Sequence, residues 1–156
     1  NWRGHAPGAL ILRWYLAGVF LHACWHKLLH PAAFAMDVAT YNILPLSLVN
    51  LAALVLPWVE LAAGLMLAIG WRARAAALLV VAMMLVFIGA LLWALASGLD
   101  IACGCFAAQG LAEDPISGRT VLRDLGWLTA GLYVLLLDRH PLGLDVWLER
   151  RRSRHA

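Results

Sequence analysis

Charge is what this sequence has least of. Only 13% of its 156 residues are Asp, Glu, Lys or Arg, against about 25% in an ordinary soluble domain. That shortage excludes a surface solvated by water on all sides. Hydrophobic residues make up 63% of the chain, so lipid has to be the solvent for much of it. Cysteine is also scarce. Three residues are too few, and odd in number, for a disulfide framework. The net charge of +3 does not point to nucleic acid, because the arginines gather at the ends of apolar stretches, where membrane orientation puts them. A cleavable signal peptide is not expected, since the first apolar stretch is too long and lacks a small-residue cleavage site. With so few polar residues inside the stretches, no hydrated path can be lined, which argues against a channel.

Four long apolar runs are present. They cover about 9–29, 46–69, 75–99 and 122–137, each suited to a hydrocarbon core roughly 30 Å thick at 1.5 Å per residue. The connectors are short, so consecutive helices are antiparallel neighbours. The expectation is an all-α, multi-pass integral membrane four-helix bundle, one domain over 1–156 with a short basic tail at 138–156. Arg3, Arg72 and Arg74, with Arg139, Arg150, Arg151, Arg152 and Arg154 in the tail, predict cytoplasmic N and C termini. The third connector is acidic, with Asp100, Glu113, Asp114 and Asp124 set against Arg119 and Arg123, and is expected to face outward, the periplasm of a bacterial inner membrane. Leu142, Leu144, Val146, Trp147 and Leu148 among the tail arginines fit a short helix lying on the inner surface. Ala90, Ala94 and Gly98 form a small-residue stripe that predicts close helix packing. Trp71, Trp93, Trp127 and Trp147 fall near the expected boundaries, as in an aromatic belt.

The chemistry-bearing residues sit toward the outward side. Cys103-Gly104-Cys105 puts two thiols one residue apart, with Gly104 supplying the backbone freedom that a small strained disulfide ring needs. Strain and exposure suit a disulfide that is exchanged, and an oxidising compartment makes such exchange useful. The plainer reading is two buried thiols acting as small hydrophobes. Cys24 stands at a similar depth and is either packing, a resolving thiol for the pair, or a ligand to a soft metal. Arg13 and Cys24 return to nearly the same helix face, with Lys27 close by, and a nearby cation favours a thiolate. His22, His26 and His30 repeat every four residues, a metal-ligand spacing, although Cys24 points to the opposite side. Glu60 lies in the middle of the second run, where an ionisable group costs at least ~2.5 kcal/mol and is a functional candidate by default. Its structural alternative is a partnership with Arg13. Arg123 and Asp124 open the fourth helix, facing the cysteine loop.

Taken together, these residues resemble the DoxX-like membrane proteins and, within them, the MauE (methylamine-utilization) branch. The resemblance covers nearly all four runs. It rests on Arg13 with Gly18 and Phe20, then Lys27, Pro31 and Phe34, and Tyr41 with Leu44-Pro45. It continues through Pro57, Glu60 and Gly64, Gly70, Cys103-Gly104-Cys105-Phe106 and Arg123-Asp124. It implies periplasmic thiol chemistry with a thioredoxin-like partner, and a quinone as the membrane electron carrier. Two positions depart from the family pattern, Ala107 and Cys24, where relatives tend to carry Gly.

The leading expectation is therefore a membrane thiol–disulfide oxidoreductase. Cys103 and Cys105 carry the exchange, Cys24 serves as relay, and Glu60, Lys27 and Arg123 are candidates for quinone binding or charge balance. The first rival is a soft-metal (Cu, Hg or Zn) binding or transport protein using Cys24, Cys103, Cys105, His22 and His26. The second is a non-catalytic membrane scaffold for a redox partner.

Overall fold

The computed structural model describes residues 6–99, 101 and 116–137. Cys103, Cys105 and the basic tail lie outside the described residues. Among the described residues there are five helices and no strand: α1 (Ala6–Leu29), α2 (Pro31–Thr40), α3 (Leu46–Ile69), α4 (Ala73–Ala96) and α5 (Gly118–Leu137). Four of them, α1, α3, α4 and α5, are long and apolar enough to cross a membrane, as expected. Large apolar side chains such as Ile11, Trp14, Trp25, Leu46, Val86 and Leu122 are exposed along them, a surface that calls for lipid.

The helix ends have local causes that hydropathy does not register. The α5 helix begins at Gly118 because Ser117 starts it. The Ser117 amide donates to Thr120 Oγ1 (3.4 Å), and its carbonyl accepts from the amides of Thr120 and Val121 (3.0 and 3.3 Å). The α4 helix stops at Ala96 instead of running to 99. Gly98 takes φ +66° and lets the Leu99 amide fold back onto the Ala94 carbonyl at 3.0 Å. Gly98 therefore closes the helix, while Ala94 alone of the expected small-residue stripe is fully buried.

The α2 helix was not expected; its residues read as a connector. It exists because of Pro31, which has no amide to continue α1 and sits well at the first position of a new helix. A residue before proline is pushed out of the helical region, and His30 sits at φ −129°, ψ 62°. The chain bends there and starts again, packing α2 along α3.

The spanning helices form a ring in which α1 meets α3, α3 meets α4, α4 meets α5, and α5 closes on α1. One half of the ring is solidly filled by Leu16, Ala17 and Phe20 of α1, Ala63 and Leu67 of α3, Ala76, Ala77 and Val80 of α4, and Val134 of α5. Gly64 permits the tight α1–α3 contact: a Cβ there would stand 3.0 Å from the Leu21 side chain and 3.4 Å from the Ala17 carbonyl. Toward the other end, Tyr41, Leu91, Ala94 and Ile116 make a second cluster. Between the two the helices part.

Candidate functional site

The space between the two clusters is a cavity of about 540 Å³, walled by α1, α2, α3, α4 and Trp127 of α5. That volume lies in the range of small-molecule sites, about 300–1,000 Å³. Its lining is nearly all apolar and rich in rings: Phe20, Phe34, Tyr41, Phe87 and Trp127. Phe20, Lys27, Phe34 and Tyr41 recur every seven residues, a spacing that holds one helical face, and all four line the cavity on either side of the break at His30.

The Lys27–Glu60 ion pair is set into this wall, which Asp37 also lines. Lys27 Nζ donates to Glu60 Oε1 at 2.7 Å, and both side chains are 10% exposed. Lys27 is the only lysine in the sequence. Its ammonium also lies 4.9 Å from the centre of the Phe34 ring, so the bend at Pro31 delivers an aromatic face to the cation. The second carboxylate oxygen, Glu60 Oε2, is buried and has no hydrogen-bond partner among the described residues. Burying a carboxylate is costly unless each oxygen is satisfied, which marks this one as a place where structure alone does not account for the residue. Pro57, Glu60 and Gly64 all lie on the buried face of α3.

Glu60 thus pairs with Lys27 and not with Arg13. The antiparallel offset of α1 and α3 explains this. Gly64 stands level with Ala17 and Leu21, so the stretch near Glu60 faces the last turn of α1, while Arg13 lies about a turn or more beyond, on the far side of that contact. Arg13 is buried on the same face of α1 as Phe20, Cys24 and Lys27.

Cys24 is 2% exposed, and its Sγ donates to the Leu21 carbonyl at 3.2 Å. It lies near enough to Glu60 and Lys27 to feel both charges. His22 and His26 lie on the other side of α1, stacked edge to face with ring centres 5.4 Å apart. No group of three or more His, Cys, Asp or Glu side chains is assembled for a metal among the described residues.

A second polar cluster sits on α5. Asp124 is fully buried, and its Oδ1 accepts from Arg123 Nε at 3.0 Å. The other oxygen, Oδ2, has no hydrogen-bond partner among the described residues. The Arg123 guanidinium lies 4.8 Å from the Trp127 ring centre, and Trp127 Nε1 donates to the Tyr15 hydroxyl at 3.3 Å. Arg123 thus touches Trp127, which lines the cavity with Lys27 and Glu60. The ends of the connector that carries the Cys-Gly-Cys run are tied together where they leave and rejoin the described structure: the Ile116 amide donates to the Ile101 carbonyl at 3.0 Å. Both isoleucines pack in the cluster with Tyr41, whose side chain also lines the cavity.

The sequence profile of the family described as "Methylamine utilisation protein MauE" matches residues 6–137. The chain is 39% identical over 115 residues to the methylamine utilization protein MauE of Paracoccus denitrificans, an alignment covering 73% of this chain and 61% of the relative. The chain thus spans about three fifths of that relative's length. No solved structure matches.

Proposed function

The chain belongs to the MauE family, and on that footing we propose a membrane thiol–disulfide oxidoreductase that serves methylamine utilisation. Cys103 and Cys105 exchange electrons with a periplasmic thioredoxin-like partner, with Cys24 as relay and a membrane quinone as the store. The protein sits in the bacterial inner membrane with both termini cytoplasmic, within the wider DoxX-like kinship.

The exchange balances as follows. A thiolate of the partner attacks the Cys103–Cys105 disulfide and forms a mixed disulfide. The partner's second thiolate closes its own disulfide and leaves Cys103 and Cys105 as thiols. Returning those two electrons and two protons to a quinone yields a hydroquinone and restores the disulfide. Run backwards, the same steps reduce the partner.

The observation that supports this reading is the position of Tyr41. It belongs to the cluster against which Ile101, two residues before Cys103, packs, and it also lines the cavity that holds the Lys27–Glu60 pair. The described residues that flank the Cys-bearing connector, Ile101 and Ile116, thus share a cluster with a side chain that lines the cavity.

Thiol state is the test. Mass-shift alkylation of the purified protein, with each cysteine replaced in turn, should reveal a disulfide that needs Cys103 or Cys105 and opens in the range of exchange catalysts, about −120 to −270 mV. Full activity in cells of a Cys103→Ser, Cys105→Ser double variant would sink the oxidoreductase and leave a scaffold. Three free thiols that become protected only on adding metal would move the assignment to soft-metal binding.

A further inference from the structure

The cavity carries its own ligand chemistry, legible without the cysteines. Its walls are apolar, so the ligand is lipophilic and arrives from the bilayer. Five of its lining residues are aromatic, which favours a flat ring, since stacked or edge-on ring pairs gain beyond their buried area. The ion pair is a polar feature that can meet the ring's substituents, on a wall that Asp37 and Tyr41 also line. Lys27 Nζ gives one of its three N–H groups to Glu60 Oε1 and faces the Phe34 ring, whereas Glu60 Oε2 has no hydrogen-bond partner among the described residues. The two oxygens belong to one carboxylate, and its terminal torsion is soft, so a small turn offers the spare acceptor to the cavity. What that carboxylate oxygen lacks is a hydrogen-bond donor.

We infer that the cavity binds a lipid-borne aromatic hydroxyl compound of the hydroquinone class, whose hydroxyl donates to Glu60, and that it holds this reduced form more tightly than the quinone, which has only carbonyl acceptors to offer. The inference rests on the proposed function only in taking the ligand to be a redox carrier; the donor preference follows from the cavity itself. A hydrogen bond to a buried charged group is among the stronger ones, so the preference should be about tenfold, equivalent to about 1.4 kcal/mol.

The test uses the full chain in lipid nanodiscs, titrated calorimetrically with a decyl-chain benzoquinone, with the same compound kept reduced, and with decanol. The expected result is one-to-one binding of the hydroquinone, about tenfold weaker binding of the quinone, and far weaker binding of decanol. Glu60→Gln should bring the two redox forms to within about threefold of each other, because it removes the charged acceptor. Ala52→Phe fills the cavity from α3 without touching the ion pair, and should abolish binding of both forms while the helix content is retained. That variant keeps the inference testable if Glu60→Gln fails to fold.

Equal affinity for the two redox forms in the unaltered protein would overturn the inference. So would binding that persists in Ala52→Phe, or no binding at all. Decanol binding as tightly as the hydroquinone would overturn it in favour of a general site for hydroxylated lipids. The outcome is separable from the exchange chemistry: the Cys103→Ser, Cys105→Ser variant should bind the hydroquinone unchanged. If that variant also keeps full activity in cells, the oxidoreductase fails while the binding site stands.

Discussion

Removing one partner of the Lys27–Glu60 pair should harm the fold far more than removing both. At 2.7 Å the attraction is about 6 kcal/mol with an effective dielectric constant of about 20. Against it stands the desolvation of two ions, several kcal/mol each, so the pair is close to neutral as a whole. A single deletion keeps one desolvation cost and loses the attraction, and buried pairs broken in this way lose about 3–5 kcal/mol. Lys27→Met is the cleanest single change, since methionine keeps the contact with the Phe34 ring. Glu60→Leu is its counterpart. Each should cost about 3–5 kcal/mol, and the double variant should return to within about 1 kcal/mol of the parent. Reversible unfolding in mixed micelles with rising dodecyl sulfate, followed by helix circular dichroism, would measure all four corners of the cycle. Additive losses, with the double variant as damaged as the sum of the singles, would refute the reasoning and mean that each residue is held by contacts of its own.

Three further outcomes follow from the geometry. Gly64→Val should lose about 1–3 kcal/mol by overpacking against Leu21 and Ala17, and Gly64→Ala less, because the Leu21 tip can shift; unfolding in the same micelles would rank them. Gly98→Ala meets nothing within 4 Å but must adopt φ +66°, so it should cost about 1–2 kcal/mol from backbone conformation alone, and a neutral result would exclude that role. Cys24, 2% exposed, should resist N-ethylmaleimide in the folded protein and react once dodecyl sulfate unfolds it, as mass spectrometry of a Cys103→Ser, Cys105→Ser background would show.

The sequence told us most where a rule acts over a long stretch. The four spanning helices were legible because some twenty apolar residues leave no alternative in lipid, and their inner boundaries at Leu46 and Ile69 fall where the runs end. Short-range devices were harder to read. The α2 helix is ten residues, too short to register as a span, and its one sign was Pro31 at the place where a helix can begin again. Gly98 belongs to a stripe by spacing, yet its positive φ shows that it ends the helix. The partner of Glu60 could not be read because it depends on how far α1 slides along α3, and that offset is set by the close approach at Gly64. The resemblance to MauE singled out Phe20, Lys27, Phe34, Tyr41, Leu44 and Glu60 from scattered positions; the fold gathers all six onto one cavity wall.

Having a single lysine, and that lysine in the interior, gives the protein a built-in spectroscopic address. Reductive methylation with isotope-enriched formaldehyde would place its only side-chain signal within these 156 residues on Lys27 Nζ, 2.7 Å from Glu60 and 4.9 Å from the Phe34 ring centre. The ring current of Phe34 and the carboxylate would both move that resonance. Occupancy of the cavity could then be followed in a nanodisc from one methyl peak, with no engineered label.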